Sequence, residues 1–404
     1  ARMMMLGLHL TDREPFHTIY LSGLIRDAQG LKMSKTKGNV VDPLAVIEES
    51  GADALRFAVI HGSTPGLDQR FADQKLESGR TFANKLWNAT RFVIGARPAG
   101  IAAGLDRREL DPAHLGPAER WIRSRVAATI AAVDRAIADD AFGVVTRSLY
   151  DGIWSDFCDW GLELAKVRLS DDALPAETRE ATWWTLVEAL DTYLRLLHPV
   201  MPFVTEELWA ALPHRSTDPG LLIVARWPAP AGRDEIVESQ VGSLIELVRG
   251  IRNARAEARI EPGLWLPVDV TMGQRIGDTF EALRPAIARL ARARPLERHL
   301  TPEALHAATR GAATGLTVIA GEIEAVVGRP TGATDAAAGA SAAADRARLE
   351  KELVEAEGHL AAARARLAND AFIANAPPPV VAGARASEAE LADQVARLRA
   401  SLDG

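Results

Sequence analysis

Lys32-Met33-Ser34-Lys35-Thr36-Lys37-Gly38-Asn39 sets three lysines and two hydroxyls within six positions, between Gly30 and Gly38. Polyphosphate binding calls for this set: positive charge, hydroxyl and backbone N–H donors, and a backbone free to move. A solvated lysine-rich turn has the same composition, so composition leaves both readings open. The flanks favour the first. Upstream, residues 18–21 form a β-branched and aromatic run, followed by Ser22-Gly23 and then Leu24-Ile25. That pattern predicts a buried strand, a small-residue break and a second extended piece, with residues 27–30 as a turn. Downstream, Asp42-Pro43 predicts a helix with Asp42 as its N-cap and Pro43 in its first position, ended by Gly51. Strand, loop and helix in that order place the lysines at the edge of a nucleotide-binding α/β sheet.

Farther along, residues 71–209 are helical in pattern apart from a loop over 96–117. Phe82, Leu86, Ala89 and Val93 share one helical face, and residues 120–138, 141–169 and 177–197 behave likewise, which predicts a helical bundle. Trp154, Phe157 and Trp160 read as core rather than contact, given the area that aromatic rings bury. Residues 264–270 are strand-like, then the pattern turns helical, then strand-like again over 316–327, which predicts a small α/β module. Residues 331–344 are Ala/Gly/Ser-rich and read as a linker. Beyond them Leu349, Leu353, Ala356, Leu360, Ala363 and Leu367 alternate spacings of four and three, as do Leu391, Val395, Leu398 and Leu402. With Pro377-Pro378-Pro379 between them, the two runs predict an antiparallel helical hairpin. The expected layout is 1–73, 74–234, 235–330, 331–344 and 345–404, multidomain and mainly α.

The 404 residues carry one cysteine, Cys158, which excludes an intrachain disulfide framework and a cysteine-rich zinc ribbon. No apolar run approaches the ~20 residues of a membrane span, and a reducing, cytoplasmic setting is expected. Net charge is −7, so any nucleic-acid site has to be a local basic patch. The chain opens at Ala1 in mid-phrase and reads as a piece of a longer protein.

Residues 32–36 closely resemble the KMSKS signature of class I aminoacyl-tRNA synthetases, and Gly38-Asn39-Val40-Val41-Asp42-Pro43 continues it. Thr36 stands where that family usually has serine, keeping a hydroxyl but stiffening χ1. Residues 82–93, 150–166 and 197–209 resemble the valine-specific branch. The resemblance implies the end of a Rossmann-like catalytic domain over 1–73 and an α-helical anticodon-binding bundle over 74–234. It further implies a small α/β junction module over 235–330 and a C-terminal antiparallel coiled-coil tRNA-binding arm over 345–404. It also implies activation of valine with ATP to valyl-adenylate and transfer to tRNA(Val). Lys32 and Lys35 would be catalytic, with Lys32, Met33, Ser34, Lys35 and Thr36 binding ATP, Mg2+ arriving with the nucleotide and no protein-bound metal in this part.

For tRNA, Asn84, Trp87, Asn88 and Arg91 share a face whose amides, indole and guanidinium suit unstacked bases; an inter-helix contact is the alternative. Arg249, Arg252, Arg255 and Arg259 form a helical stripe that could meet phosphates or lie as a solvated face. By resemblance, Arg346, Arg348, Arg364 and Arg366 of the arm would touch the outer corner of tRNA. An isoleucine-specific relative and a non-catalytic, synthetase-derived tRNA-binding protein remain open alternatives. The family's second ATP motif, HIGH, and its editing domain do not occur in these residues. The chain alone is therefore expected not to charge tRNA, and to be a monomer.

Overall fold

The computed structural model describes residues 1–101, 110–310, 315–328, 335–369, 372–373 and 376–403. It is mostly helical with two small sheets. Its internal contacts divide it into two units, Ala1–Leu115 with Ile122–Arg233 and Gly116–Trp121 with Asp234–Gly404.

In the first unit, α1 (Arg2–Thr11) has no buried residue. β1 (Ile25–Arg26) pairs in parallel with β2 (Gln69–Arg70). The strand expected over residues 18–21 does not form, and Ile19, Tyr20 and Leu21 are exposed. A parallel strand is stable when neighbours flank it and both faces are covered; among the described residues β1 has β2 alone as a strand partner. α2 (Pro43–Ser50) starts as its sequence predicts, with the Asp42 carboxylate accepting from the Leu44 amide and Gly51 closing it at φ 87°. α3 (Ala52–Ile60) and α4 (Asp73–Gly95) follow.

The helical body continues through α5 (Pro117–Ala138) and α6 (Phe142–Tyr150). An uninterrupted π-helical stretch, Asp151–Gly161, leads into α7 (Leu162–Leu169). α8 (Ala176–Leu197) and α9 (Pro202–Ala210) complete it. The face Phe82, Leu86, Ala89, Val93 of α4 is buried as its periodicity predicts, as are Phe157 and Trp160, whereas Trp154 is half-buried and stacked on Tyr150. Trp183, Trp184, Tyr193 and Trp209 fill the centre. A buried indole N–H needs an acceptor: Trp183 donates to the Val93 carbonyl and Trp209 to the Asp191 carboxylate, both at 2.7 Å. Gly143 packs against the backbone at Ser63, where a Cβ would fall 2.0 Å from the carbonyl oxygen.

The segment His198-Pro199-Val200-Met201-Pro202 ties these helices to α3. Asp53 accepts from the amides of Phe203 and Val204 at the start of α9, and Arg56 donates to the Val200 and Pro199 carbonyls. A carboxylate at a helix N-terminus satisfies orphan amides and complements the helix dipole.

In the second unit, α10 (Glu235–Glu257) is capped by Asp234. β3 (Leu266–Thr271), α11 (Gln274–Ala291) and β4 (Ala293–His299) form a parallel crossover, followed by α12 (Pro302–Thr309) and the β5–β6 hairpin (Leu316–Ala320, Ile323–Val327). The sheet order is β4-β3-β6-β5. One face is apolar, with Val268, Val270, Leu316, Val318, Ala325 and Val327 buried, and Gly250 of α10 lies against Val318. β4 is an addition to the sequence reading: Ala-Arg-Pro-Leu-Glu-Arg-His lacks strand composition, and an edge strand tolerates proline and charge.

The residues expected as a linker, 331–344, fall partly outside the described residues (331–334); from Asp335 they are helix, the first turns of α13 (Asp335–Leu367). Alanine-rich sequence has the highest helix propensity, which accounts for the difference. α13 and α14 (Pro378–Asp403) form the hairpin, with Pro378 in the first helical position. Leu349, Ala356, Leu360, Val395 and Leu398 are buried along its seam, with Leu353, Leu391 and Leu402 packed alongside. Ile319 of β5 belongs to the same cluster, so the hairpin is docked on the sheet rather than tethered to it.

Candidate functional site

The lysine loop is held at its base by a network that sequence reasoning missed. The Asp27 carboxylate accepts from the amides of Gln29 (3.1 Å) and Leu31 (2.7 Å) and from the Asn39 side-chain amide (2.8 Å). Asn39 returns its carbonyl to the Ser34 amide at 2.9 Å. The hydrogen bond from Asn39, then that from Leu31, holds the Asp27 carboxyl below its ordinary value, against the opposing effect of desolvation. Asp68 adds a second clamp, accepting from the Leu24 amide at 2.7 Å and from Arg26. Gly30 and Gly38 sit at φ 81° and 68°, a region that L side chains rarely adopt. The signal for this network was the Asp27–Gly30 turn, but its partner lies twelve residues away.

Above that base, Lys35–Lys37 forms a single 3₁₀ turn. Ser34 and Thr36 bring their hydroxyls to 3.3 Å of each other, and the Lys37 amide donates to both the carbonyl and hydroxyl oxygens of Ser34. Lys32 and Lys37 are exposed, while Met33 packs down onto the cluster of Ala58, Phe71 and Leu76. Residues 32–37 are thus one loop with an apolar anchor, a fixed base, two adjacent hydroxyls and two exposed lysines, Lys32 and Lys37, the side chain of Lys35 lying outside the described residues. Such a loop can receive a polyphosphate.

Asn84, Trp87, Asn88 and Arg91 all lie on the exposed face of α4, and Trp87 is 42% exposed. Asn88 donates to the Asn84 carbonyl at 3.0 Å. The arginine stripe of α10 is not one surface. Arg255 is buried and donates to the carbonyls of Ala291, Arg292, Glu261 and Leu264, and Arg249 pairs with Glu246 at 2.7 Å.

In the hairpin, the Arg348 side chain is 9% exposed, bound to Glu352 at 2.7 Å, to Glu257 at 3.5 Å and to the Thr317 carbonyl. Arg346 pairs with Glu350, Arg364 with Glu388, and Arg366 lies over the Phe372 ring at 4.4 Å; these three are exposed.

Asp269, Glu297 and His299 share the polar face of the sheet with their ligand atoms within 4.8 Å of one another. His299 is already paired with Asp269 at 2.7 Å. Cys158 is buried, and burial pushes its thiol up to about 12, which removes thiolate chemistry.

Residues 1–72 match the family described as tRNA synthetases class I (I, L, M and V). Residues 119–270 match the anticodon-binding domain of tRNA ligase, and 342–404 the valyl tRNA synthetase tRNA binding arm. A valine–tRNA ligase of Dehalococcoides mccartyi is 40% identical over 99% of this chain and 43% of its own length. Those of Rhizorhabdus wittichii and Streptomyces avermitilis are 38% and 37% identical over the whole chain and 42% of theirs. The chain therefore spans less than half the length of the curated relatives it matches. Among solved structures, LeuRS in the LeuRS–tRNA–LeuAMS complex of Agrobacterium radiobacter aligns at TM-score 0.41 and 19% identity, over 67% of this chain and 28% of that one.

Proposed function

The chain is a relative of the valine–tRNA ligases along its whole length, and on that premise we propose that it is the part of such an enzyme that closes a lysine loop over ATP and holds tRNA(Val). The observation that carries this reading is the loop itself: Lys32–Thr36 on a base fixed by Asp27 and Asn39.

In the proposed reaction the valine carboxylate attacks the α-phosphate of ATP, forming valyl-adenylate and releasing pyrophosphate; the valyl group then passes to tRNA. Lys35, assisted by Lys32, neutralises charge developing on the β- and γ-phosphates, and Mg2+ accompanies the nucleotide. A cation that acts mainly in the transition state accelerates the step rather than merely tightening binding. Glycines 30 and 38 give the loop ends that open and close. The bundle and the hairpin are proposed as anticodon-binding and arm domains, with Asn84, Trp87, Asn88 and Arg91 facing tRNA from α4. A cytoplasmic, monomeric enzyme completes the reading.

Placed in the complete enzyme, Lys35→Ala is expected to lower kcat and kcat/KM of adenylate formation together, by roughly 2–4 kcal/mol. Its effect on valine binding is expected to be small. ATP–pyrophosphate exchange at saturating substrates measures this, and undiminished exchange removes Lys35 from the mechanism. The same enzyme is expected to charge tRNA(Val) with valine and not to charge the isoleucine tRNA with isoleucine. A charging assay offering both amino acids and both tRNAs decides it, with efficient isoleucylation favouring the isoleucine-specific reading.

A further inference from the structure

We infer that the small α/β module carries an RNA-binding surface of its own, centred on Trp265 and the arginines around it. The half-buried Trp265 ring has the Arg294 guanidinium 4.4 Å and the Arg292 guanidinium 5.2 Å from its centroid. Both arginines are exposed, and neither has an ion-pair partner among the described residues. Arg252 is held beside them by donating to the Leu290 carbonyl at 2.9 Å. Arg289 lies in the last turn of α11 and Arg259 just past the end of α10, both exposed. No acid occurs between Arg289 and Leu296, and Glu261 is the acid between Arg259 and Trp265. A chain of net charge −7 thus lays two exposed arginines over one indole, with three more exposed arginines, Arg252, Arg259 and Arg289, on the adjoining segments.

Helix ends alone do not account for this. Basic side chains in a last helical turn complement the carbonyls there, which explains Arg289 and Arg252. Arg292 and Arg294 lie beyond α11, on the αL residue that closes it and on β4, and stack on an aromatic ring instead. The platform is rigid. Arg255, buried beneath it, ties the carbonyls of Glu261, Leu264, Ala291 and Arg292 together, fixing both segments that carry the surface. Guanidinium planes laid over an indole present outer faces on which an unstacked base can stack, with their charge beside its flanking phosphates. The partner of that chemistry is a loop or single-stranded portion of RNA; an acidic protein would use the charge but not the ring.

The inference rests on the tRNA-binding reading, and the test separates the two. Binding of a tRNA(Val) transcript and of oligo(U) by the whole chain is measured by fluorescence anisotropy over a salt series. The variants are Trp265→Ala, Trp265→Phe, Arg292→Ala/Arg294→Ala, and Arg275→Ala at the other end of α11 as control, each checked by thermal unfolding. Trp265→Ala is expected to weaken binding roughly tenfold or more, Trp265→Phe to restore most of it, and the double variant to lower the salt slope by about two. If the unaltered chain binds tRNA and all variants match it, the surface is overturned while the tRNA reading stands. Binding of oligo(U) through Trp265 without binding of tRNA leaves the surface standing and overturns the tRNA reading. No binding of either RNA overturns both, and arginine-dependent binding of polyglutamate with no change toward RNA overturns the surface in favour of an acidic protein partner.

Discussion

Asp27 and Asn39 decide how firmly the lysine loop is held. Asn39 is the main reason the Asp27 carboxyl lies below its ordinary value, ahead of the Leu31 amide. A carboxylate with a lowered folded-state value contributes stability above its unfolded value and loses it as pH falls through the folded one. The base of the loop is therefore expected to stay fixed through the pH at which an ordinary aspartate takes up its proton, and to loosen only at still lower pH, as Asp27 itself protonates. Asn39→Ala is expected to move the Asp27 titration upward toward that ordinary value, followed by NMR of its carboxyl. An unmoved titration would show that Asn39 is not the cause. The loop over residues 32–37 was legible from sequence because residue type at short spacing marks it, between Gly30 and the Asp42–Pro43 helix start. The Asp27–Asn39 bond was not, because it joins two common polar residues across a turn. Arg255 and Arg348 misled for the same reason, as arginines in helical stripes whose carbonyl partners lie in other elements.

Elements with strong periodicity were read correctly: α2 with its Asp-Pro start, the buried face of α4, and the hairpin seam. Those set by context were not. β4 carries Pro295 and three charges in seven residues and is a strand because β3 pairs it in register from Val268↔Leu296 to Thr271↔His299. Residues 18–21 have strand composition, but among the described residues no strand pairs with them, and they stay exposed. Within the hairpin, Leu398 is fully buried, and Leu398→Ala is expected to cost about 2–5 kcal/mol of hairpin stability through the cavity it leaves. Because Ile319 shares the cluster, that loss should also loosen β5. Denaturant unfolding of the second unit's signal measures the first effect, and amide exchange of residues 316–320 the second. An unchanged β5 would mean that the hairpin packs on the sheet without supporting it.

At the scale of the whole molecule, an acidic chain places local groups of positive charge at the lysine loop, at the Trp265 surface and along the hairpin. Phosphate binding depends on such local patches, and each neutralised phosphate adds close to one unit to the salt dependence. Of the hairpin's seven arginines, the four that the sequence singles out are therefore not equivalent. Arg346, Arg364 and Arg366 are exposed, whereas Arg348 joins α13 to Glu257, Glu352 and the Thr317 carbonyl. If the hairpin acts as a tRNA-binding arm, Arg346→Gln/Arg364→Gln/Arg366→Gln should raise the KM for tRNA, and lower the salt slope of tRNA binding by up to about three. ATP–pyrophosphate exchange should be unaffected, since no tRNA takes part in it. Arg348→Gln should behave differently: it takes from the part-buried Thr317 carbonyl the guanidinium that ties α13 to β5, so stability falls and the slope stays near that of the unaltered protein. Charging kinetics and anisotropy over the same salt series, read beside unfolding curves, separate the two classes. A triple variant with unchanged KM and slope would take the hairpin out of tRNA binding and leave its packing against Ile319 as the contact that defines its role.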